Sequence, residues 1–284
     1  MMNAIKEETI QFSNQKEYLS VKTKLEHDPV YAAINWMSDD NKHEITYQTE
    51  EIAPTIADAK RIKVLLLFKN PHPDSVASGL FFSEKYSKSF WNRFFEVECN
   101  KRMLPLLELS TWIDDVTKTL SSGKYDSPFL YYFRCLYTFP TKEYKHLKAL
   151  FSKEAPTAWE KILTDSNQLL KNYISKEKIK HVIIFFTEGM HLLGGRSPEN
   201  AEEAIKDIKR GVDQYLCRND SQLFWNMYGK KELKQTLPDG ANIYFNINTR
   251  GKNHGDHLSK RYFTYNLEFI LKDILQNSPD QNRQ

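Results

Sequence analysis

Three polar strings in this chain follow apolar runs: Asn70-Pro71-His72, Thr187-Glu188-Gly189 and Asn248-Thr249-Arg250-Gly251. Their side chains suit chemistry on a polar ligand. An amide can orient a water, an imidazole or a carboxylate can move a proton, and glycine admits close backbone approach. A further string, Thr249 to Arg261, sets Arg250, Lys252, Lys260 and Arg261 against Asp256, with Asn253, His254 and His257 between them. Two glycines and the lack of a large apolar residue before Leu258 suit a phosphate-facing loop, or an ordinary solvated one. His254 and His257 have the spacing of metal ligands, but two ligands are a weak signal and no metal is expected.

Such residues matter only if the fold brings them together. In open parallel sheets, ligands bind outside the carboxyl ends of the strands. Residues 61–68 (RIKVLLLF), 181–188 (HVIIFFTE) and 241–248 (ANIYFNIN) have strand length and the apolar content of strands covered on both faces. The three polar strings lie at their carboxyl ends and can converge on one crevice. Helical patterns run from Pro156 to Ser175, from Pro198 to Leu216 and over 265–276, the second with Ser197 as N-cap and Pro198 in its first turn. The segment Phe129 to Thr141 fits either a strand or a buried helix. Strands alternating with helices define an α/β fold, a three-layer α/β/α sandwich with a mostly parallel central sheet.

Residues 1–58 read as a helical or partly irregular N-terminal extension packed on a main domain at 59–277. That domain contains a long charged connection at 190–233, and 278–284 reads as a frayed tail. The 284 residues are 40% hydrophobic and 27% charged, as in ordinary globular proteins. No run approaches the roughly 18 apolar residues of a membrane span, and the N-terminus has no secretory pattern, so the expected place is the cytoplasm. Cys99, Cys135 and Cys217 lie far apart and outline neither a disulfide framework nor a zinc ribbon. A net charge of +3 does not by itself identify a nucleic-acid binder. There is no P-loop, G-x-G-x-x-G or G-x-S-x-G string.

The spacing after Asn70 is Asn-Pro, seven residues, Gly79, two residues, Phe82, seven residues, Phe90-Trp91. It resembles the uracil-DNA glycosylase superfamily, within it the branch of mismatch-specific uracil and thymine glycosylases. The stretch from Lys234 to Leu258 is similar to that family's last strand and DNA-intercalation loop, with Asn248 and Gly251 in matching places. The resemblance spans roughly residues 59 to 276.

It implies a uracil-DNA glycosylase-like fold and a monofunctional hydrolase of N-glycosyl bonds that flips a pyrimidine out of DNA and leaves an abasic site. Asn70 would place the water, although it also suits a strand-end turn. Phe82, beyond Gly79, would stack on the base, while Phe90-Trp91 would pack a helix on the sheet. Asn248 would belong to the base pocket, and Thr249 to Arg261 would touch DNA, with His254 or His257 as candidates to assist the leaving base. His72 replaces a small glycine of the branch, which points to an altered target. Glu188 is a second acid/base candidate, or a cap or solvated side chain.

The resemblance further implies a modified base, plausibly glucosylated hydroxymethylcytosine of phage DNA in antiviral defence. Repair of uracil or thymine mispairs is the alternative, and a non-catalytic nucleic-acid-binding protein another. No cofactor and no obligate protein partner are expected; the partner would be DNA.

Overall fold

The run VLLLF, Val64 to Phe68, is apolar throughout because it forms the middle of a sheet covered on both faces. The computed structural model describes residues 5–56, 60–78, 87–101, 112–193, 196–214, 225–226, 234–236, 240–246 and 256–278. Its strands are β1 Ile5–Gln11, β2 Trp36–Asp39, β3 Glu44–Ile52, β4 Ile62–Phe68, β5 Phe129–Cys135, β6 His181–Ile184, β7 Lys234–Thr236 and β8 Asn242–Phe245. Its helices begin with α1 Gln15–His27, α2 Pro73–Ser78, α3 Ser87–Glu96 and α4 Trp112–Ser122. They continue with α5 Tyr144–Glu154, α6 Pro156–Glu177, α7 Gly189–Leu192, α8 Pro198–Gln214 and α9 Asp256–Gln276.

The sheet order is β1-β3-β5-β4-β6-β8-β7, with β2 also paired to β3. The four central strands β5, β4, β6 and β8 are parallel, and the antiparallel pairings lie at the margins. From β4 the chain crosses to β5 on one side, then back to β6 on the other. The gap between β4 and β6 is therefore the topological switch point.

Helices cover both faces, so the fold is the expected three-layer α/β/α. On one face Phe90 and Trp91 of α3 pack against Phe68 and Phe133, as expected for a helix seated on the sheet. On that face too, Asp273 of α9 accepts from Tyr244. On the other face Tyr173 of α6 meets Tyr132 at 6.4 Å, and Lys63 donates to the Glu177 carbonyl. The ambiguous segment is resolved as β5, in which all seven residues are buried.

Several boundaries differ from expectation. The N-terminal segment adds strands to the sheet as well as helix α1: β3 joins it through Glu51 and Ile52 against β5, and β1 and β2 both pair with β3. Alternation within EITYQTEEI marks a half-buried strand, but its polar residues disguise it. β6 stops at Ile184, because Phe185 donates its N–H to Leu67 and the chain then turns. β8 stops at Phe245. α9 begins at Asp256, so residues 256–261 are helical and not loop.

Charged residues secure the seam between the N-terminal strands and β5. Arg134 bonds Glu51 at 2.5 Å, and Lys6 reaches Glu51 at 2.9 Å and Glu8 at 2.7 Å. Burial opposes the charge on Glu8, yet Lys6 and Arg134 hold its carboxyl below the usual range. Nearby, Glu17 of α1 accepts from the Thr157 and Ala158 N–H groups at 3.1 Å each, capping an α6 N-terminus that has no side-chain cap of its own. Burial opposes its ionisation too, and the four hydrogen bonds to its carboxylate outweigh it.

Glu17→Ala is expected to cost about 1–2 kcal/mol in urea unfolding at neutral pH, the usual loss for a helix cap. The depressed carboxyl means that this contribution is present above the unfolded value and fades as pH falls through the folded one. His181 gives a second signature at a different pH. Burial, then Lys234, lower its pKa to about 4 from 6.5, so between these values the unfolded chain binds a proton that the folded chain refuses. Stability should fall by on the order of 3 kcal/mol as pH drops through that window. A urea midpoint series should show His181→Leu flattened there, and equal slopes in both proteins would refute the assignment.

Candidate functional site

The carboxyl ends of β4, β5 and β6 form the site region. Beyond the strands, β4 and β5 stay zipped: Leu136 donates to the Phe68 carbonyl at 2.8 Å, Tyr137 to Lys69 at 2.9 Å and Thr141 to Pro71 at 3.0 Å. On the other side, Phe185 to Leu67 is the last rung toward β6. The chains part there, and Lys69 and Glu188 bridge the opening.

Lys69 Nζ lies 2.5 Å from Glu188 Oε1 and 3.5 Å from the centre of the Tyr144 ring. The lysine is mostly covered, while the carboxylate keeps substantial exposure. Burial raises the Glu188 carboxyl, but the bond and charge of Lys69 outweigh it, so the group stays ionised below the usual range. Tyr144 leans on Tyr137 at 5.4 Å, and Tyr137 on Trp159 at 6.1 Å, which makes an aromatic wall behind the lysine. At the mouth, half-buried Phe185 stacks on Phe68 with centroids 4.8 Å apart and planes 9° apart.

Glu188 does not end a strand; it sits in the turn that opens α7. That turn needs Gly189, whose Cβ would lie 2.5 Å from Ile184 Cγ2. Close backbone approach at this glycine agrees with the sequence reading, although what approaches is the protein itself.

Asn70 donates its amide to the Thr141 carbonyl at 2.8 Å and to Thr141 Oγ1 at 3.2 Å. This ties the β4 exit to the β5 exit, and among the described residues no hydrogen bond engages Oδ1. His72 opens α2: its Nδ1 accepts from the Asp74 N–H at 3.3 Å, and its carbonyl accepts from Ser75 and Val76. Among the described residues, no hydrogen bond joins Asn70 or His72 to Glu188; Asn70 works on the β5 side and Glu188 on the β6 side. Thr141 and Tyr144 were missed by sequence reasoning. Their signal was present, because taking 129–135 as a strand puts 136–144 at the same sheet edge.

At the end of β8, Asn246 is buried and bonded to Asn266 of α9 at 2.9 Å, which pins the helix to the strand exit. Gly79, Phe82, Asn248, Thr249, Arg250, Gly251, Lys252, Asn253 and His254 lie outside the described residues. His257, Lys260 and Arg261 fall in the first two turns of α9. No helix among the described residues is long and apolar enough to cross a membrane.

No family model matches the chain. It is 25% identical over 122 residues to the ribosomal RNA small subunit methyltransferase I of Mycoplasma genitalium (strain ATCC 33530 / DSM 19775 / NCTC 10195 / G37), a match covering 42% of each protein. The chain thus matches less than half of that relative's length.

This likeness runs against the glycosylase expectation and overturns it, together with the DNA-hydrolase activity, the antiviral and repair roles and the proposed target bases. The physical reason lies in the motif. Asn-Pro and Gly are what a parallel strand needs in order to leave a sheet and turn, so their spacing reports turn geometry before it reports a reaction. Asn70 shows this directly, with its donors bound to Thr141.

Lys69→Met should remove the main opposition to the burial of Glu188, leaving only hydrogen bonds from Thr187 and the backbone, so its carboxyl should titrate at higher pH. A carboxyl carbon-13 NMR titration of both proteins checks this, and an unchanged Glu188 midpoint would show that the lysine does not set its charge.

Proposed function

We propose that this chain modifies RNA by methyl transfer at the crevice between β4 and β6, in the cytoplasm. The reading is supported by its likeness to an rRNA methyltransferase. The observation that carries it to this crevice is the ionised Glu188 bridged to Lys69 where the strand order reverses.

The residues suit a sulfonium donor such as S-adenosylmethionine in charge. Glu188 keeps substantial exposure, and its Oε2, which accepts from Thr187 Oγ1 at 3.4 Å, offers a further acceptor for ribose hydroxyls or for positive charge. When bound, such a donor supplies an electrophilic methyl group. The chain's own work is to orient: Lys69, held between Glu188 and the Tyr144 ring, fixes the carboxylate, and Asn70 Oδ1 can accept from an amine or hydroxyl of the nucleotide. The chain has no G-x-G-x-x-G string, so recognition of the donor rests on these side chains.

Incubating the full chain with methyl-labelled S-adenosylmethionine and small-subunit rRNA should place label in the RNA. Glu188→Gln should reduce the rate by about tenfold or more, corresponding to roughly 1.4 kcal/mol of lost stabilisation. If no RNA acquires label and equilibrium dialysis finds no donor binding, the proposal fails.

A further inference from the structure

Tyr137, which backs the Tyr144–Lys69 contact, also lines an open cavity of 330 Å³ bordered by β1, β3, the segment after β5 and α6. The cavity lies beside the crevice, not in it, and nothing in the methyl-transfer reading requires it. Aromatic residues Tyr47, Tyr137 and Phe139 contribute to its walls.

Three carboxylates line the same space: Glu8, Glu44 and Asp165. Among the described residues, no ion pair engages Glu44 or Asp165. Glu8 has Oε1 held by Lys6 at 2.7 Å and approached by Arg134 at 3.9 Å, while Oε2 has a 3.5 Å contact from the Tyr47 hydroxyl. On α6, Lys161 and Asp165 are one turn apart and both exposed, so a single basic side chain stands beside the acids of the lining.

These features discriminate between ligand classes. An anion would meet Glu44 and Asp165, which no ion pair engages among the described residues, beside a Glu8 already held by Lys6 and Arg134. A neutral apolar molecule would strip water from them and return no hydrogen bond. A cation on an aliphatic stem meets both surfaces, with its methylenes on Ile162 and the rings and its ammonium groups on the acids. We propose that this cavity binds a small organic polycation, an aliphatic amine of the polyamine class.

Calorimetric titration of spermidine into the full chain tests this at low ionic strength, where screening is weak. Glutarate, a dicarboxylate without base or ribose, serves as the anionic comparator. Wild type should bind spermidine saturably and glutarate not at all. The Glu44→Lys/Asp165→Lys double variant should weaken spermidine by about tenfold or more. Ile162→Trp, which fills the cavity without changing charge, should weaken it as well. Asp165→Asn, an isosteric change on the exposed side of α6, gives the same test with little risk to folding and should lower affinity severalfold. Spermidine affinity unchanged across all three variants would mean loose surface attraction and overturn the proposal. So would an absence of saturable binding, or glutarate binding more tightly than spermidine. Labelled methyl transfer to RNA is a separate readout, so either proposal can fail while the other stands.

Discussion

Everything in this molecule hangs on the parallel pairing of β4 with β5 on one side and β6 on the other. Val64, Leu65, Leu66 and Leu67 are wholly buried, and register along β4 aligns Val64 with both Tyr131 and His181. Each such side chain gains roughly 1.5–3 kcal/mol on burial, whereas an exposed ion pair gains at most about 1 kcal/mol. The apolar centre therefore fixes the sheet, and the charged groups decorate its edges. Because β4 pairs on both sides, the chain must reverse direction across it, and that reversal makes the opening which Lys69 and Glu188 span.

The charged seam does a different job. Arg134 and Glu51 are both largely covered, and a pair in such a place is expensive to break, since the remaining charge is left without a partner. It adds little net stability over an apolar contact but selects where β3 docks. Once docked, β1 and β3 stand against α6 and border the cavity beside Tyr137. Glu17 reinforces the same arrangement by tying α1 to the start of α6.

Residues that read as chemistry in the sequence often serve architecture here. Asn70 fastens two strand exits, His72 starts a helix and Gly189 lets the α7 turn sit on Ile184. Strand ends in parallel sheets collect Asn, Pro and Gly for reasons of backbone geometry, and the same ends are where ligands bind. Two pressures select similar strings, which is how a motif spacing can suggest one reaction while the likeness found in the chain points to another. Glu188 differs from those three, because its carboxylate keeps solvent exposure while its charge is secured from behind.

The sequence by itself determined the fold class, the presence of central strands within 61–68, 181–188 and 241–248, and a helix opening at Pro198 with its Ser197 cap. These follow from local rules: unbroken apolar runs, helical periodicity and capping residues act within a few positions of one another. Only the tertiary structure decided that 5–52 joins the sheet, that 129–135 is a strand, and that Lys69 meets Glu188 across 119 positions. Those outcomes depend on pairing register and on which charges become neighbours after burial. A chain read one residue at a time carries neither, because both are energies of contact between segments that the sequence keeps apart.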